Sequence, residues 1–240
     1  MKKLFSLIFA LALLAGLASS AGALFPLATD NNKTTPAGRT ALEMGYSNFQ
    51  FAGGEKRQLL FIIKRGIVGN LEAGAELPAS LTTPAGLQDA TLNIKFKLLQ
   101  FSRTEGLSLK LSSKLANGSS IQGTGSGYAN YSGTFILTKG LGLLTMHLNG
   151  GYMIVGVPQG APAANYTYYS AAMETILFGE QGEAFAEIAG DTSGTPSPLT
   201  FQLGARFWLG DFTQFIIGYG KGLSDSSYQS VLRIGLTTEI

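Results

Sequence analysis

The chain of 240 residues has no cysteine, a single histidine, and charged residues that make up only 13% of its length. The absence of cysteine excludes a disulfide framework and any thiolate metal site, and one histidine excludes a histidine-rich metal site. Basic tails and basic-aromatic clusters are missing too, so no nucleic-acid partner is expected. Beyond the first two dozen residues no apolar run reaches about 18 residues, so the sequence predicts no transmembrane helix. On these grounds we expect no metal and no other cofactor.

The first residues have the pattern of an export signal. Lys2 and Lys3 provide a basic start, Leu4–Leu17 is almost wholly apolar, and Ala21-Gly22-Ala23 is a small-x-small cleavage site. This order is typical of a secretory signal peptide, and its apolar run is too short to favour a spanning helix. We therefore interpret residues 1–23 as a signal peptide and expect the mature chain to begin near Leu24.

Alternation of apolar and polar residues is the strongest pattern in the rest of the chain. The residues from Ala90 to Leu98 alternate between apolar and polar without interruption. Leu92, Ile94 and Phe96 are the central apolar positions. Side chains of a strand point to opposite faces with a period of two, so this segment predicts a strand with one apolar and one polar face. The same pattern returns at Leu71–Leu77, Leu107–Lys114, Leu144–Ile154, Leu199–Leu209 and Tyr228–Ile240.

About twelve such segments indicate an all-β fold, a closed antiparallel transmembrane β-barrel. Strands of about 10 residues separated by turn residues are its signature, and they are long enough to cross an outer membrane. The predicted strands are 39–52, 55–65, 69–78, 89–101, 104–115, 127–138, 142–155, 165–178, 182–190, 198–209, 212–221 and 227–240.

The connectors support this topology, because short ones alternate with longer ones rich in Gly, Pro, Ser and Thr. Outer-membrane barrels have short periplasmic turns and longer extracellular loops, so an even number of strands places both termini in the periplasm. The connector around Gly53-Gly54 is an exception, since it is short where a long loop is expected. Residues 24–38 lack periodicity and are predicted to be an irregular periplasmic lead-in, followed by the barrel at 39–240. A soluble β-sandwich is the alternative fold, but it requires fewer outward apolar residues than these strands carry.

Strand parity predicts which polar side chains face the lumen. Counting along the strands gives the following candidate pore-lining residues: Glu72, Glu76, Lys95, Lys97, Lys110, Lys114, His147, Asn149, Glu174, Glu183, Glu187, Arg206 and Arg233. The parity places a basic wall opposite an acidic wall. It also brings Glu72 and Glu76 near Lys95 and Lys97, and Glu187 near Arg206. The charges either form cross-strand pairs that fill a narrow lumen or impose a field that orients a solute; both can hold together.

Catalysis is not expected. His147 lies on the predicted lumen face with no flanking serine motif, so we interpret it as a hydrogen-bonding residue. The polar segment Gly123–Gly127 (GTGSG) does not join a strand to a helix, which excludes a phosphate-binding loop and leaves a flexible extracellular loop.

The tyrosines cluster near predicted strand ends, where they would form interfacial girdles or, alternatively, a platform for an aromatic substrate.

The mature chain resembles a family of bacterial outer-membrane transporters labelled as meta-pathway phenol-degradation proteins. The segments that carry the resemblance are Pro26–Asp30 (PLATD), Asp89–Leu98 (DATLNIKFKL), Ala171–Glu174 (AAME), Glu183–Glu187 (EAFAE), Leu203–Phe207 (LGARF), Gly222–Asp225 (GLSD) and Ile234–Thr237 (IGLT). The family label implies passage of hydrophobic or aromatic compounds and supplies no catalytic residues. Outer-membrane barrels usually end in an aromatic residue that the barrel-assembly machinery reads, whereas this chain ends in Ile240.

The sequence therefore predicts a channel in the bacterial outer membrane, not an enzyme. Its expected partners are outer-membrane lipid, the barrel-assembly machinery and small solutes, with aromatic or hydrophobic compounds among the candidates, that diffuse passively through a charge-lined lumen. The alternative function is a structural or adhesion-type barrel with a plugged lumen whose loops bind partners.

Overall fold

The computed structural model describes residues 27–102, 104–177 and 181–240, and these form a closed antiparallel β-barrel of twelve long strands. The strands are β1 Thr40–Phe51, β2 Gly54–Val68, β3 Leu71–Ser80, β5 Thr91–Gln100, β6 Gly106–Lys114, β7 Asn130–Leu141, β8 Leu144–Ile154, β9 Tyr166–Leu177, β10 Gly182–Asp191, β11 Leu199–Trp208, β12 Thr213–Gly222 and β13 Ser230–Glu239. A two-residue strand, β4 (Gly86–Leu87), pairs with the end of β3 inside a loop.

The barrel closes where its first and last strands pair. The pairing of β1 with β13 runs from Ala41 opposite Glu239 to Gln50 opposite Ser230. Thr40 and Ile240 extend it, since each N–H donates to the other's carbonyl oxygen at 2.8 Å. Each long strand therefore has two hydrogen-bonded neighbours, and none has a free edge.

All twelve long strands are confirmed, with ends that differ from the predicted ones by no more than three residues. Strand β4 was not predicted, because two residues are too few to show alternation. The structure also contains two register shifts that parity counting could not detect, one between Gly66 and Val68 on β2 and one between Lys97 and Leu99 on β5.

The two ends of the barrel differ in the length of their connections. At one end, here called the short-turn end, strands are joined by 69–70, 101–105, 142–143, 178–181 and 209–212. At the other, the long-loop end, the connections are 81–90, 115–129, 155–165, 192–198 and 223–229, together with the two-residue turn Ala52-Gly53. The predicted alternation of connectors and its exception are both present.

The outer face of the barrel is apolar. Leu92 and Ile94 on β5 and Leu203 on β11 have 44–52% of their surface exposed, and large apolar side chains occupy comparable positions on the other strands. A continuous apolar exterior is what lipid requires of a barrel wall. No helix among the described residues has the length and apolar character needed to cross a membrane.

The inner face is polar on one side, whereas polar and apolar side chains are mixed on the other. From β3 to β9 it is lined mainly by hydroxyl, amide and charged groups, whereas Ile216 on β12 and Val231 on β13 are buried with 0% exposure. Phe185 of β10 folds over Gly204 of the neighbouring strand, where a Cβ would lie only 2.2 Å from the Phe185 ring. A strict apolar-out, polar-in rule therefore describes one half of the wall better than the other.

The two faces should respond differently to an added charge. We expect Ile94→Arg to destabilise the barrel by about 2–4 kcal/mol, because it places a cation in lipid near the middle of β5. Thr91→Arg adds the same charge to the same strand but on the inner face, so a smaller loss is expected. Urea unfolding in lipid vesicles, followed by the fluorescence of the single tryptophan, Trp208, measures both values. Equal losses would show that the assignment of faces on β5 is wrong.

Candidate functional site in the barrel interior

The segment before β1 runs through the inside of the barrel. This N-terminal segment, residues 27–38, begins among inner side chains and leaves at the short-turn end, where Gly38 N–H donates to the carbonyl oxygen of Gly66 at 2.9 Å. Thr29, Asn31 and Asn32 are nearly fully buried. Residues 27–38, the described part of the predicted lead-in, thus occupy part of the lumen.

An ion-pair cluster holds the segment at Asp30. Its carboxylate lies 2.9 Å from the ammonium group of Lys95 and 3.5 Å from that of Lys110. Lys95, only 3% exposed, also donates to the carbonyl oxygens of Asn31 at 3.2 Å and Lys33 at 3.0 Å. Hydrogen bonds from charged groups each contribute about 1.5–3 kcal/mol. We therefore regard the Asp30–Lys95 pair as the strongest attachment of the segment to the wall.

The Asn149 side chain fixes the backbone of the same residue. With its amide oriented to suit its neighbours, Asn149 donates to the carbonyl oxygen of Asp30 at 2.9 Å and accepts from Asp30 N–H. A primary amide can bond both ways in this manner because it carries a donor and an acceptor side by side. The wall therefore binds both the charge and the backbone of Asp30.

Further polar side chains along the wall hold the remaining backbone of the segment. Thr29 N–H donates to the carboxylate of Glu187 at 2.6 Å. Asn32 N–H donates to the Thr138 hydroxyl at 3.0 Å. The backbone N–H and the hydroxyl of Thr35 both donate to one oxygen of Glu72 at 2.7 Å. These contacts explain why an irregular chain can be buried, since its backbone groups have partners.

A glycine makes room for the segment where it leaves the barrel. A Cβ on Gly66 would lie 2.1 Å from the carbonyl oxygen of Pro36, a distance that no side chain tolerates. Glycine is required where another backbone approaches a strand so closely. Ala37 forms an isolated parallel bridge with the same residue.

A second cluster of charges lies nearer the short-turn end. Arg206 donates to Glu183 at 2.6 Å and to Glu174 at 3.2 Å. His147 contacts Glu174 through Nε2 at 3.2 Å and Thr138 through Nδ1 at 2.9 Å. These groups line a cavity of about 370 Å³, and Asn31 and Lys33 of the segment cover it on the side of the long loops.

The register places every predicted lining residue on the inner face. Residues opposite one another on adjacent strands share a face, and Glu72, Lys95 and Lys110 form such a row across three strands. Counting by twos along these strands and across the remaining strand pairs places the other predicted residues on the same face: Glu76, Lys97, Lys114, His147, Asn149, Glu174, Glu183, Glu187, Arg206 and Arg233.

The pairing of these charges differs in part from the prediction. Glu72 does approach Lys95, at 3.9 Å, but Glu76 contacts Lys110 at 3.7 Å rather than Lys97. The predicted proximity of Glu187 to Arg206 is wrong: Arg206 lies opposite Glu183, whereas Glu187 lies opposite Gln202. The sequence shows which face a residue occupies, but the offset between two strands is set by the turn that joins them.

The opposed basic and acidic walls are neutralised locally. Asp30, Glu72 and Glu76 offset the lysines of β5 and β6, and Arg206 offsets the carboxylates of β9 and β10. Sequence reasoning missed Asp30, because its segment has no periodicity. It also missed the pair between Glu43 and Lys64, which lies 2.5 Å apart on β1 and β2.

Tyrosines occupy both faces of the barrel. Tyr131, Tyr152, Tyr169 and Tyr219 are 45–58% exposed on the outer face, in the half of their strands nearest the long loops. This is the position of an interfacial aromatic girdle. Tyr168 instead points inward and bonds the Thr134 hydroxyl.

The connection 115–129 is folded over one carboxylate. Asp89, only 3% exposed, accepts from the backbone N–H of Gly118 at 2.8 Å and of Ser126 at 2.7 Å, and Lys114 lies 3.5 Å away. Burial on its own would raise the pKa of Asp89, but the hydrogen bonds from Ser126 and Gly118 hold it below the ordinary value of 3.8. The loop predicted to be flexible is therefore tied to the rim of the barrel.

Solved structures share this architecture at low sequence identity. An outer-membrane channel from Pseudomonas putida F1 matches with a TM-score of 0.66 and 13% identity, over 89% of this chain and 100% of that one. The NanC porin matches with 0.63 and 8%, over 84% and 100%. The KdgM porin in complex with disordered oligogalacturonate matches with 0.61 and 12%, over 82% and 98%. The chain has the fold of outer-membrane channels. No protein-family model matches the sequence, and no curated protein matches it.

The Asp89 contacts predict a pH-dependent loop. The pKa of Asp89 is lower in the folded loop than in the unfolded chain. The carboxylate therefore contributes fully to the stability of the closed loop above about pH 3.8, and this contribution disappears as the pH falls through the folded pKa. At pH 7 we expect Asp89→Asn to remove about 1.5–3 kcal/mol from loop closure and speed amide exchange at Gly118 and Ser126 by ~10-fold or more. Hydrogen–deuterium exchange read by mass spectrometry measures this.

The control is Asp225→Asn, which makes the same charge change at an exposed position in the loop after β12. It should leave exchange in 115–129 unchanged. If Asp89→Asn behaves in the same way, Asp89 does not hold the loop.

Proposed function

We propose that the protein is an outer-membrane channel for passive passage of small solutes. Three observations support this: the ladder is closed, the exterior is apolar, and charged and hydroxyl groups line the interior. The likeness to solved channels supports the fold on which the proposal rests. Outer-membrane lipid would surround the apolar band, and export through a cleaved signal peptide would deliver the chain to the barrel-assembly machinery.

The observation that carries the proposal is the space on either side of the N-terminal segment. A cavity of about 370 Å³ lies toward the short-turn end, and another of about 210 Å³ lies toward the long-loop end. Between them the segment is held by hydrogen bonds and ion pairs rather than by a packed apolar core. Displacing it would join the two cavities into one passage lined by the inner charges described above.

The resemblance to transporters of the phenol-degradation type adds aromatic or hydrophobic solutes to the proposal. The inward-facing side chains of Phe185, Ile216 and Val231 are almost fully buried and offer little surface to such a solute, so the resemblance is its main support. The paired charges of the interior support a polar solute. We propose passive diffusion in either case.

We do not propose catalysis, although one arrangement resembles a catalytic triad. Thr138, His147 and Glu174 are connected in the order hydroxyl, imidazole and carboxylate. However, Thr138 is 1% exposed, and its hydroxyl accepts from Asn32 N–H, so a substrate carbonyl has no access to it. Nucleophilic attack requires the reacting atoms to approach to about 3 Å.

A plugged barrel whose loops bind partners is the second candidate, and one observation favours it. The N-terminal segment crosses the lumen, and the longest loop is ordered by Asp89 rather than free. In this case the segment would be a permanent part of the fold, and the interior charges would serve stability alone.

Conductance in planar bilayers separates the two candidates. We expect the unmodified chain to conduct. We expect Asp30→Asn to spend more time in a state of larger conductance, in which the N-terminal segment is displaced. The reason is that loss of the carboxylate weakens the attachment to Lys95 by about 1.5–3 kcal/mol, or roughly 10-fold or more in population. Asp225→Asn is the control, since it removes the same charge outside the lumen.

If neither the unmodified chain nor Asp30→Asn conducts, the plugged barrel is the correct function. If both conduct equally, the barrel is a channel in which Asp30 does not limit the current.

A further inference from the structure

The cavity at the long-loop end is a polar chamber above the N-terminal segment. Its walls come from β3 and from β5 to β9, and Asp30 of the segment forms its floor. Thr91 begins a strand after one long loop and Ser132 lies two residues after the start of a strand that follows another. The chamber therefore lies on the side of the segment that faces the long loops.

Hydroxyl groups without protein partners line this chamber. Within the described part of the chain, the side chains of Thr91, Ser112, Ser132 and Ser170 form no hydrogen bond. The buried amide oxygen of Asn93 also has none, while its amide nitrogen donates to Glu76 at 2.7 Å. Polar groups enclosed in this way require water or a solute as partner.

The charges of the chamber are paired with one another. Lys110 lies 3.7 Å from Glu76 and 3.5 Å from Asp30, so the one lysine that lines the chamber is already paired with carboxylates. A solute with a net charge would have to compete with these pairs. An uncharged solute with several hydroxyl groups needs no counter-charge and can both donate to and accept from the free hydroxyls.

An aromatic ring, Tyr168, completes the chamber. It lies against Gly151, where a Cβ would come within 2.3 Å of the ring, and its hydroxyl is already bonded to Thr134. What the ring adds is therefore apolar surface suited to the C–H groups of a solute. Specific binding sites combine such apolar surface with a few fixed polar groups.

From these groups we infer that the chamber binds small uncharged polyhydroxylated solutes, of the class of sugar alcohols and small sugars. The volume of about 210 Å³ is below the range of about 300–1,000 Å³ usual for drug-sized ligands, which limits the solute to a few carbon atoms. A purely aromatic solute would leave the four hydroxyls and the Asn93 oxygen unpaired, which is unfavourable. The inference rests on the proposed channel function and names a solute class for it.

The absence of cysteine gives a direct test. Ser132→Cys places a single thiol in the chamber, and its rate of reaction with a small methanethiosulfonate reagent is measured in detergent with and without xylitol. We expect xylitol to slow the reaction several-fold, because the bound solute shields the thiol. Thr145→Cys is the matched control, since Thr145 lines the cavity on the other side of the segment. Its rate should not change.

Three results would overturn the inference. They are an unchanged rate for Ser132→Cys in xylitol, equal slowing at both positions, or slowing by phenol at the same concentration but not by xylitol. Ser170→Cys repeats the test on another strand if Ser132→Cys does not assemble. Conductance is measured on the same preparations: conduction without protection by xylitol rejects the binding site alone, whereas protection without conduction rejects the channel and retains the site.

Discussion

The closed backbone ladder is the constraint on which the remaining features depend. In lipid an unpaired backbone group costs several kcal/mol, and pairing β1 with β13 removes the last pair of free edges. Once the ring is closed, each residue of a strand must face either lipid or the interior. The apolar exterior and the crowded polar interior follow from that division, and so does the chance to bury a non-repetitive segment among side chains that already point inward.

Inside the ring, charge is neutralised over short distances. A narrow lumen excludes much of the water that would otherwise solvate a lysine, so each charge requires a partner nearby. Lys95 obtains partners from its neighbouring strand and from the N-terminal segment together. Because Asp30 completes this neutralisation, the segment is part of the electrostatic design of the wall and not an addition to it.

The features that follow a local period could be predicted from the sequence. Alternation identified the twelve strands and the face of the predicted lining residues, because the period of two is a property of the strand itself. The pairing of Arg206 with Glu183 could not be obtained in this way, since it depends on the offset between β10 and β11. Asp30 and Asp89 each bind several groups from segments without any period. Leu60 and Ile62 lie on the inner face of β2, where the rule expects polar residues. These positions are fixed by tertiary contacts alone.

The contacts that hold the N-terminal segment in the lumen are largely separate from the hydrogen bonds that hold the ladder together. Among the described residues, the segment pairs with a strand backbone through the single bridge and the hydrogen bonds near Gly66. Elsewhere it is bound by side chains such as Glu72, Thr138 and Glu187. In the channel proposed above, substitutions at those side chains would change what the lumen admits without altering one rung of the ladder. The solute selectivity proposed for the lumen and the stability of the ladder would therefore change independently under mutation.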